Sequence, residues 1–251
     1  MSFSAAASSL AYSQTVMDVV AHNLANISTN GFKKIVAKAS GRATEIDPAA
    51  DPSTQVNPRG GVAETTTDLI IGQGPTLATG EPLTFALQDD SFLRVMNSDG
   101  AVAYTRLGAL RTDAAGNITL PSGRFLEPPV VVPDGTHSPE IDPDGWISSV
   151  DASGARQNVG RITLARFLNP AALEFLGGGL YLETSRTGAA VEGSPGSDGF
   201  ARVVPGALEG SNVEIAEEFT NMIVAQRAYQ VASKTFSIGD EMLRIATNLT
   251  K

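Results

Sequence analysis

Cysteine is absent from this chain of 251 residues, which excludes disulfides, thiolate metal sites and a cysteine nucleophile and leaves either redox compartment open. Such a chain also suits export. Basic residues are in deficit: 18 Lys and Arg against 27 Asp and Glu give a formal net charge of -9, the wrong balance for gripping phosphates, so no nucleic-acid partner is expected. Histidine is scarce, and neither His22 nor His137 has a second imidazole or paired carboxylate at ligand spacing. The expectation is therefore no catalytic residue, no metal and no cofactor. No apolar run approaches the roughly 18 residues of a membrane span, and no basic segment followed by an apolar stretch opens the sequence. Neither membrane insertion nor a cleaved signal peptide of the usual kind is expected.

What the chain does have is an apolar fraction of 42%, ample for a core, and 25 Gly and 14 Pro that concentrate between residues 41 and 210. That middle region reads as strands and turns. Turn chemistry recurs at Ser98-Asp99-Gly100, Asp113-Ala114-Ala115-Gly116-Asn117, Pro121-Ser122-Gly123, Pro143-Asp144-Gly145 and Ala152-Ser153-Gly154. Between and around these lie candidate strands at Phe92–Val95, Val102–Thr105, Asn117–Leu120, Val130–Val132, Ile147–Val150 and Arg161–Phe167. An antiparallel sheet or small barrel follows. Glu140, Asp142, Asp144, Gly145 and Asp151 match the acidic positions of a calcium loop, but Pro139 and Pro143 interrupt the string and its flanks are strand-like. It reads as a hairpin turn, although closely spaced carboxylates in a cleft would also suit a carbohydrate-active enzyme.

The two ends differ in kind from the middle. Phe3, Leu10, Met17 and Leu24 fall seven residues apart, with Ala6, Ser13, Val20 and Ile27 three residues after each. This predicts a helix over about 3–26, roughly 36 Å long, ended by the Asn30-Gly31 reversal with Phe32 folding back on it. At the other end Ile215, Met222, Tyr229, Phe236 and Leu243 form one seven-residue row, and Val224, Val231, Ile238 and Ile245 form another. This second helix is expected to start from Asn212 as cap and to run to about Thr247. Residues two apart point about 200° from each other, so Met222 and Val224 cannot share a face. If the first helix covers one row, the other needs a partner from outside the chain.

The expected fold is therefore α+β with a mainly β centre. Residues 1–35 and 205–251 form a terminal helical part pairing as a coiled coil. Residues 36–80 form an extended arm with short strands, and 81–204 an antiparallel β domain. Expected subunit-interface residues are Leu10, Met17, Val20, Asn23, Leu24, Asn26 and Phe32 at one end. At the other they are Ile215, Phe219, Met222, Val224, Gln226, Arg227, Tyr229, Val231, Phe236, Ile238, Leu243 and Ile245. Gln226, Arg227 and Tyr229 would fix lateral register, because polar groups in an apolar seam cost stability unless matched.

Asn23-Leu24-Ala25-Asn26-Ile27-Ser28-Thr29-Asn30-Gly31-Phe32-Lys33 resembles the N-terminal motif of the bacterial flagellar axial proteins, the rod and hook subunits. Leu208-Glu209-Gly210-Ser211-Asn212-Val213, Glu217-Glu218, Met222 to Gln230 and Asp240-Glu241-Met242-Leu243 resemble its C-terminal motif. Ala103-Tyr104-Thr105-Arg106-Leu107-Gly108, Asp113 to Asn117, Phe167-Leu168-Asn169-Pro170 and Gly179-Leu180-Tyr181 are similar to the sheet domain of rod subunits, so the likeness spans nearly the whole chain. Length and the long arm are most like the distal rod subunits. The chain departs from the pattern at Asp89 to Val95, where the family has a Gly followed by two aromatics, and it lacks a Trp near its start.

The resemblance implies a non-enzymatic structural subunit that self-assembles helically into a tubular drive shaft crossing the periplasm. It implies export through the flagellar export apparatus without a cleaved signal. Implied partners are other copies, neighbouring rod and hook subunits, the export apparatus and the surrounding bushing rings. Alternatives at this stage are a proximal rod or hook-type subunit, or a β-rich binding module of another surface fibre or phage-tail-like assembly.

Overall fold

The computed structural model describes residues 3–41, 62–97, 99–197 and 199–249. The fold is α+β, with two long helices at the ends and many short strands between. The chain divides into two compact units: residues 1–25, 35–68 and 214–251 form one, and residues 26–34 and 69–213 the other. Residues 42–61 of the segment expected to form the arm lie outside the described residues, as does the side chain of Leu243.

In the first unit, helix α1 (Phe3–Ala25) packs against helix α2 (Ile215–Leu249). Alanine-rich turns carry α1 without a helix breaker until the Asn26 to Gly31 reversal, where Gly31 sits at φ 71. A two-stranded sheet of Ile35–Gly41 and Val62–Leu69 completes the unit within the segment expected to hold short strands. Asn23 fastens the sheet to the helices. Its amide donates to the Ile35 carbonyl at 2.8 Å and to Glu218 Oε2 at 3.1 Å, while its own carbonyl accepts from Ile35 N at 2.9 Å.

The second unit is built on a six-stranded antiparallel sheet. Its order is Glu174–Gly177, Leu180–Leu182, Val102–Thr105, Phe92–Met96, Leu164–Arg166, Val191–Gly193. A three-stranded sheet (Arg156–Arg161, Trp146–Val150, His137–Ile141) and three strand pairs surround it. Side chains alternate along each strand. Leu93, Val95, Ala103, Leu164 and Leu180 enter the main core with Phe85, Leu87, Ile118, Leu126, Ile147 and Ile162. On the alternate positions Phe92, Tyr104 and Tyr181 belong to a row of rings. Edge-on or tilted contacts run Phe32, Phe175, Tyr181, Phe92, Phe167, Tyr104, with centroids 4.8 to 6.0 Å apart.

Several local expectations need correction. Arg161–Phe167 is not one strand: Arg161 ends one sheet and Leu164 joins another, with Ile162 and Thr163 crossing between them. Val130–Val132 forms only an isolated bridge, Val131 to Asn117. Pro128, Pro129 and Pro133 flank it and lack the amide hydrogens a ladder needs. Asn212 does not cap α2, whose first residue is Ile215. Its side chain accepts from Lys34 N at 2.7 Å and donates to the carbonyls of Ile70 and Gly72, both at 2.8 Å.

Candidate functional site

Two features stand out: the surface of α2 in the first unit, and a buried charge cluster in the second. Beyond its first turn, among the described residues, α2 is buried at Ala225 and half-buried at Asn221, Met222, Ala232 and Gly239; Ala225, Ala232 and Gly239 continue a seven-residue series that Glu218 begins. On α1 the buried positions are Ser13, Val20 and Asn23. The helices run antiparallel, since Asn23 reaches Glu218 while Gln14, Met17, Asp18 and Ala21 share a groove with Met222, Gln226 and Tyr229. Small side chains at Ala225, Ala232 and Gly239 leave room for another helix to approach closely, and α1 also reaches Met222 and Tyr229 of the first bulky row.

Both apolar rows are consequently left open in whole or part. Val224 is 61% exposed and Val231 67%, and Ile238 and Ile245 are exposed with them. Ile215, Phe219, Ile223, Tyr229, Phe236 and Met242 are exposed large side chains elsewhere around the helix, while Met222 is half-buried. Gln226 and Arg227 are exposed among them. On α1, Leu10, Met17 and Leu24 are half-buried. Val20 and Asn23 are buried against the chain's own elements. Asn26 is half-buried, and Phe32 is fully buried, its ring edge-on to Phe175.

The charge cluster was not anticipated. Glu209 Oε1 accepts from Lys33 Nζ at 2.6 Å and from Gly74 N at 2.9 Å. Glu209 Oε2 accepts from Arg106 Nε and Nη2, each at 2.7 Å. All three side chains are 0 to 1% exposed. Arg106 Nη1 also donates to the Asp89 and Ser91 carbonyls at 2.6 and 2.8 Å, and its guanidinium lies over the Phe92 ring at 5.8 Å. Lys33 Nζ gives a further bond to the Gly72 carbonyl at 2.8 Å. One carboxylate thus faces two cations. Burial, with Arg106 adding to it, holds the Lys33 ammonium down to about 8 despite Glu209. Burial pushes the neighbouring Tyr181 hydroxyl up to about 12.

The acidic string resolves into separate local jobs. Asp142 Oδ1 accepts from Trp146 N at 2.8 Å and closes the turn between two strands. Glu140 pairs with Arg156 at 3.0 Å, and Asp144 with Arg202 at 2.9 Å. Asp151 serves its own turn, which lowers its pKa through bonds from Ser153 and Ala155. Among the described residues no group of three or more His, Cys, Asp or Glu is placed to hold a metal ion, and no helix is long and apolar enough to cross a membrane.

Lys33, Arg106, Glu209 and Tyr181 each fall inside a stretch that carries the family resemblance. Comparison with known proteins agrees with that convergence. A family model described as flagellar basal body rod FlgEFG protein C-terminal matches residues 204–249, and one for the flagellar hook protein FlgE/F/G D1 domain matches residues 86–149. The flagellar basal-body rod protein FlgG of Borreliella burgdorferi is 36% identical over 257 residues, covering 98% of this chain and 97% of that protein. The protein of that name from Caulobacter vibrioides is 34% identical over 255 residues, 97% of each chain. The one from Bacillus subtilis is 34% identical over 252 residues, 95% of this chain and 94% of its own.

Proposed function

The chain belongs to the family of flagellar basal-body rod proteins FlgG, and on that footing we propose that this structural, non-enzymatic rod subunit works by helix-mediated self-assembly into a tubular drive shaft. The terminal helices pair as a coiled coil and take further helices from other copies against the open rows of α2. The polymer forms the distal part of the rod, spans the periplasm and carries torque. Neighbouring rod and hook subunits continue the shaft, bushing rings surround it, and the subunit arrives through the flagellar export apparatus without a cleaved signal.

The observation that carries this reading is the exposure of Val224, Val231, Ile238 and Ile245 along one helix. Burying each such side chain against a partner is worth about 1.5–3 kcal/mol, so four of them in register are a strong drive to associate. Polymerisation of the concentrated chain, followed by sedimentation and electron microscopy, tests it. Val231→Asp and Tyr229→Asp should each abolish polymer while leaving the circular dichroism of the unassembled chain unchanged. Normal polymer from both variants would overturn the reading.

A further inference from the structure

Residues 31–34 join no strand ladder, yet their backbone amides are all hydrogen-bonded. Gly31 N donates to the Glu209 carbonyl at 2.7 Å, Lys33 N to the Tyr181 hydroxyl at 3.3 Å, and Lys34 N to Asn212 Oδ1 at 2.7 Å. The Lys34 carbonyl accepts from Ile70 N at 2.8 Å. Residues 209–212 engage the same neighbourhood from the other side. Gly210 N donates to the Pro75 carbonyl at 2.7 Å, the Asn212 amide donates to the carbonyls of Ile70 and Gly72, and Glu209 accepts from Gly74 N. Three stretches of chain, 31–34, 70–75 and 209–212, therefore hold one another largely through two side chains, Glu209 and Asn212.

Two of these stretches, 31–34 and 209–212, also lie at points where the chain leaves the second unit. Lys34 is followed by Ile35, and Val213 by Glu214, both of which belong to the first unit. Lifting 31–34 alone would leave Glu209 with one cation fewer, Asn212 Oδ1 without its donor and Ile70 N without its acceptor. Lifting 209–212 alone would leave Lys33 and Arg106 buried without their carboxylate. Either half-open state carries an unpaired buried charge or orphaned polar groups, which is the costly arrangement. Fully closed and fully open states avoid that penalty.

We propose that Lys33, Glu209 and Arg106 form a latch: both exits open and close as one cooperative element, separately from the strand core, and only the closed latch is competent to polymerise. The final clause rests on the function proposed above. The latch checks that distant segments of the chain have met before the terminal helices are offered to other copies.

Amide hydrogen exchange of the unassembled full-length chain tests the cooperative element. In Lys33→Met, the amides of Gly31, Lys34, Gly74 and Gly210 should speed up by one common factor, about tenfold, while strands 92–96 and 102–105 keep their wild-type rates. Glu209→Gln should give the same pattern with a larger factor; if that variant does not fold, Lys33→Met still decides. Acceleration at 31–34 without Gly74 and Gly210, or equal acceleration of the strands, overturns the latch. For the assembly clause, a variant whose latch opens tenfold more often should polymerise more slowly, and polymerisation at the wild-type rate refutes that clause. Wild-type chain that never polymerises would sink the function reading instead, leaving exchange to judge the latch.

Discussion

Replacing Glu209 by Gln removes the single negative charge that two buried cations share. The amide oxygen can still accept one bond, but the four donors now at the carboxylate lose their common acceptor, and Lys33 and Arg106 are left 0 to 1% exposed without a counter-charge. Breaking a buried pair in this way costs about 3–5 kcal/mol. Against the roughly 5–15 kcal/mol that holds ordinary domains together, that is a large fraction. Lys33→Met acts on the same cluster with the opposite balance. It forfeits the bonds to Glu209 and Gly72 but leaves Arg106 and Glu209 as a neutral pair, so its cost should be about 1–2 kcal/mol. Adding Lys33→Met to Glu209→Gln removes one of the two unpaired cations, and the double variant should cost less than the sum by about 1–3 kcal/mol. Urea unfolding followed through Trp146, the single tryptophan, reports on the second unit, where that ring lies under Arg161 at 5.3 Å. A Lys33→Met loss greater than that of Glu209→Gln, or strict additivity in the double variant, would refute the reasoning from excess charge.

The lowered Lys33 pKa also sets a pH dependence. Its folded value, about 8, lies below the ordinary 10.5, so between these values the unfolded chain holds more protons and stability from this group rises with pH. Glu209, Arg106, Asp90 and Tyr181 are the charged and titratable groups acting around it, and Tyr181, raised to about 12, reverses the slope above its ordinary 10. Unfolding measured from pH 8 to 10 should lose one proton's share of that slope in Lys33→Met. Gly108→Ala would place a methyl 1.8 Å from the Phe85 carbonyl oxygen and should cost about 3 kcal/mol or more by melting. Gly123→Ala has open space but a φ of 81, and should cost only about 1–2 kcal/mol. Ser149→Ala should be neutral or stabilising by up to about 1 kcal/mol, because that buried hydroxyl has no partner among the described residues; a clear loss in the same assay would count against this.

The turns were legible in the sequence because their chemistry is local. Asp113 Oδ1 accepts from Ala115 N and Asn117 N, and Asp151 Oδ1 accepts from Ser153 N and Ala155 N, the same reversal built twice from the same spacing. The helices were legible because their apolar residues repeat. Which face α1 takes was not, since a periodicity of bulky residues draws attention to Met222 and Val224, while close approach favours Ala225, Ala232 and Gly239. The charge cluster was hidden for another reason. Glu209 meets Arg106 across 103 positions and Lys33 across 176, and no spacing rule reaches that far. The signal was present only as three family-like stretches, each carrying one ionisable residue whose burial nothing local announces.

The row of six rings from Phe32 to Tyr104 has a mechanical consequence. Each ring touches the next edge-on or at a tilt, and Phe92 and Tyr181 in the middle of the row are fully enclosed. Dense interiors of this kind resist compression and hand strain onward. A displacement imposed at Phe32, two residues before the chain leaves for the first unit, is therefore met by a stiff spoke running into the sheet, not by one yielding side chain. Softening that spoke at its midpoint, by trading an aromatic for a smaller aliphatic, would leave the architecture standing yet make it more compliant under load.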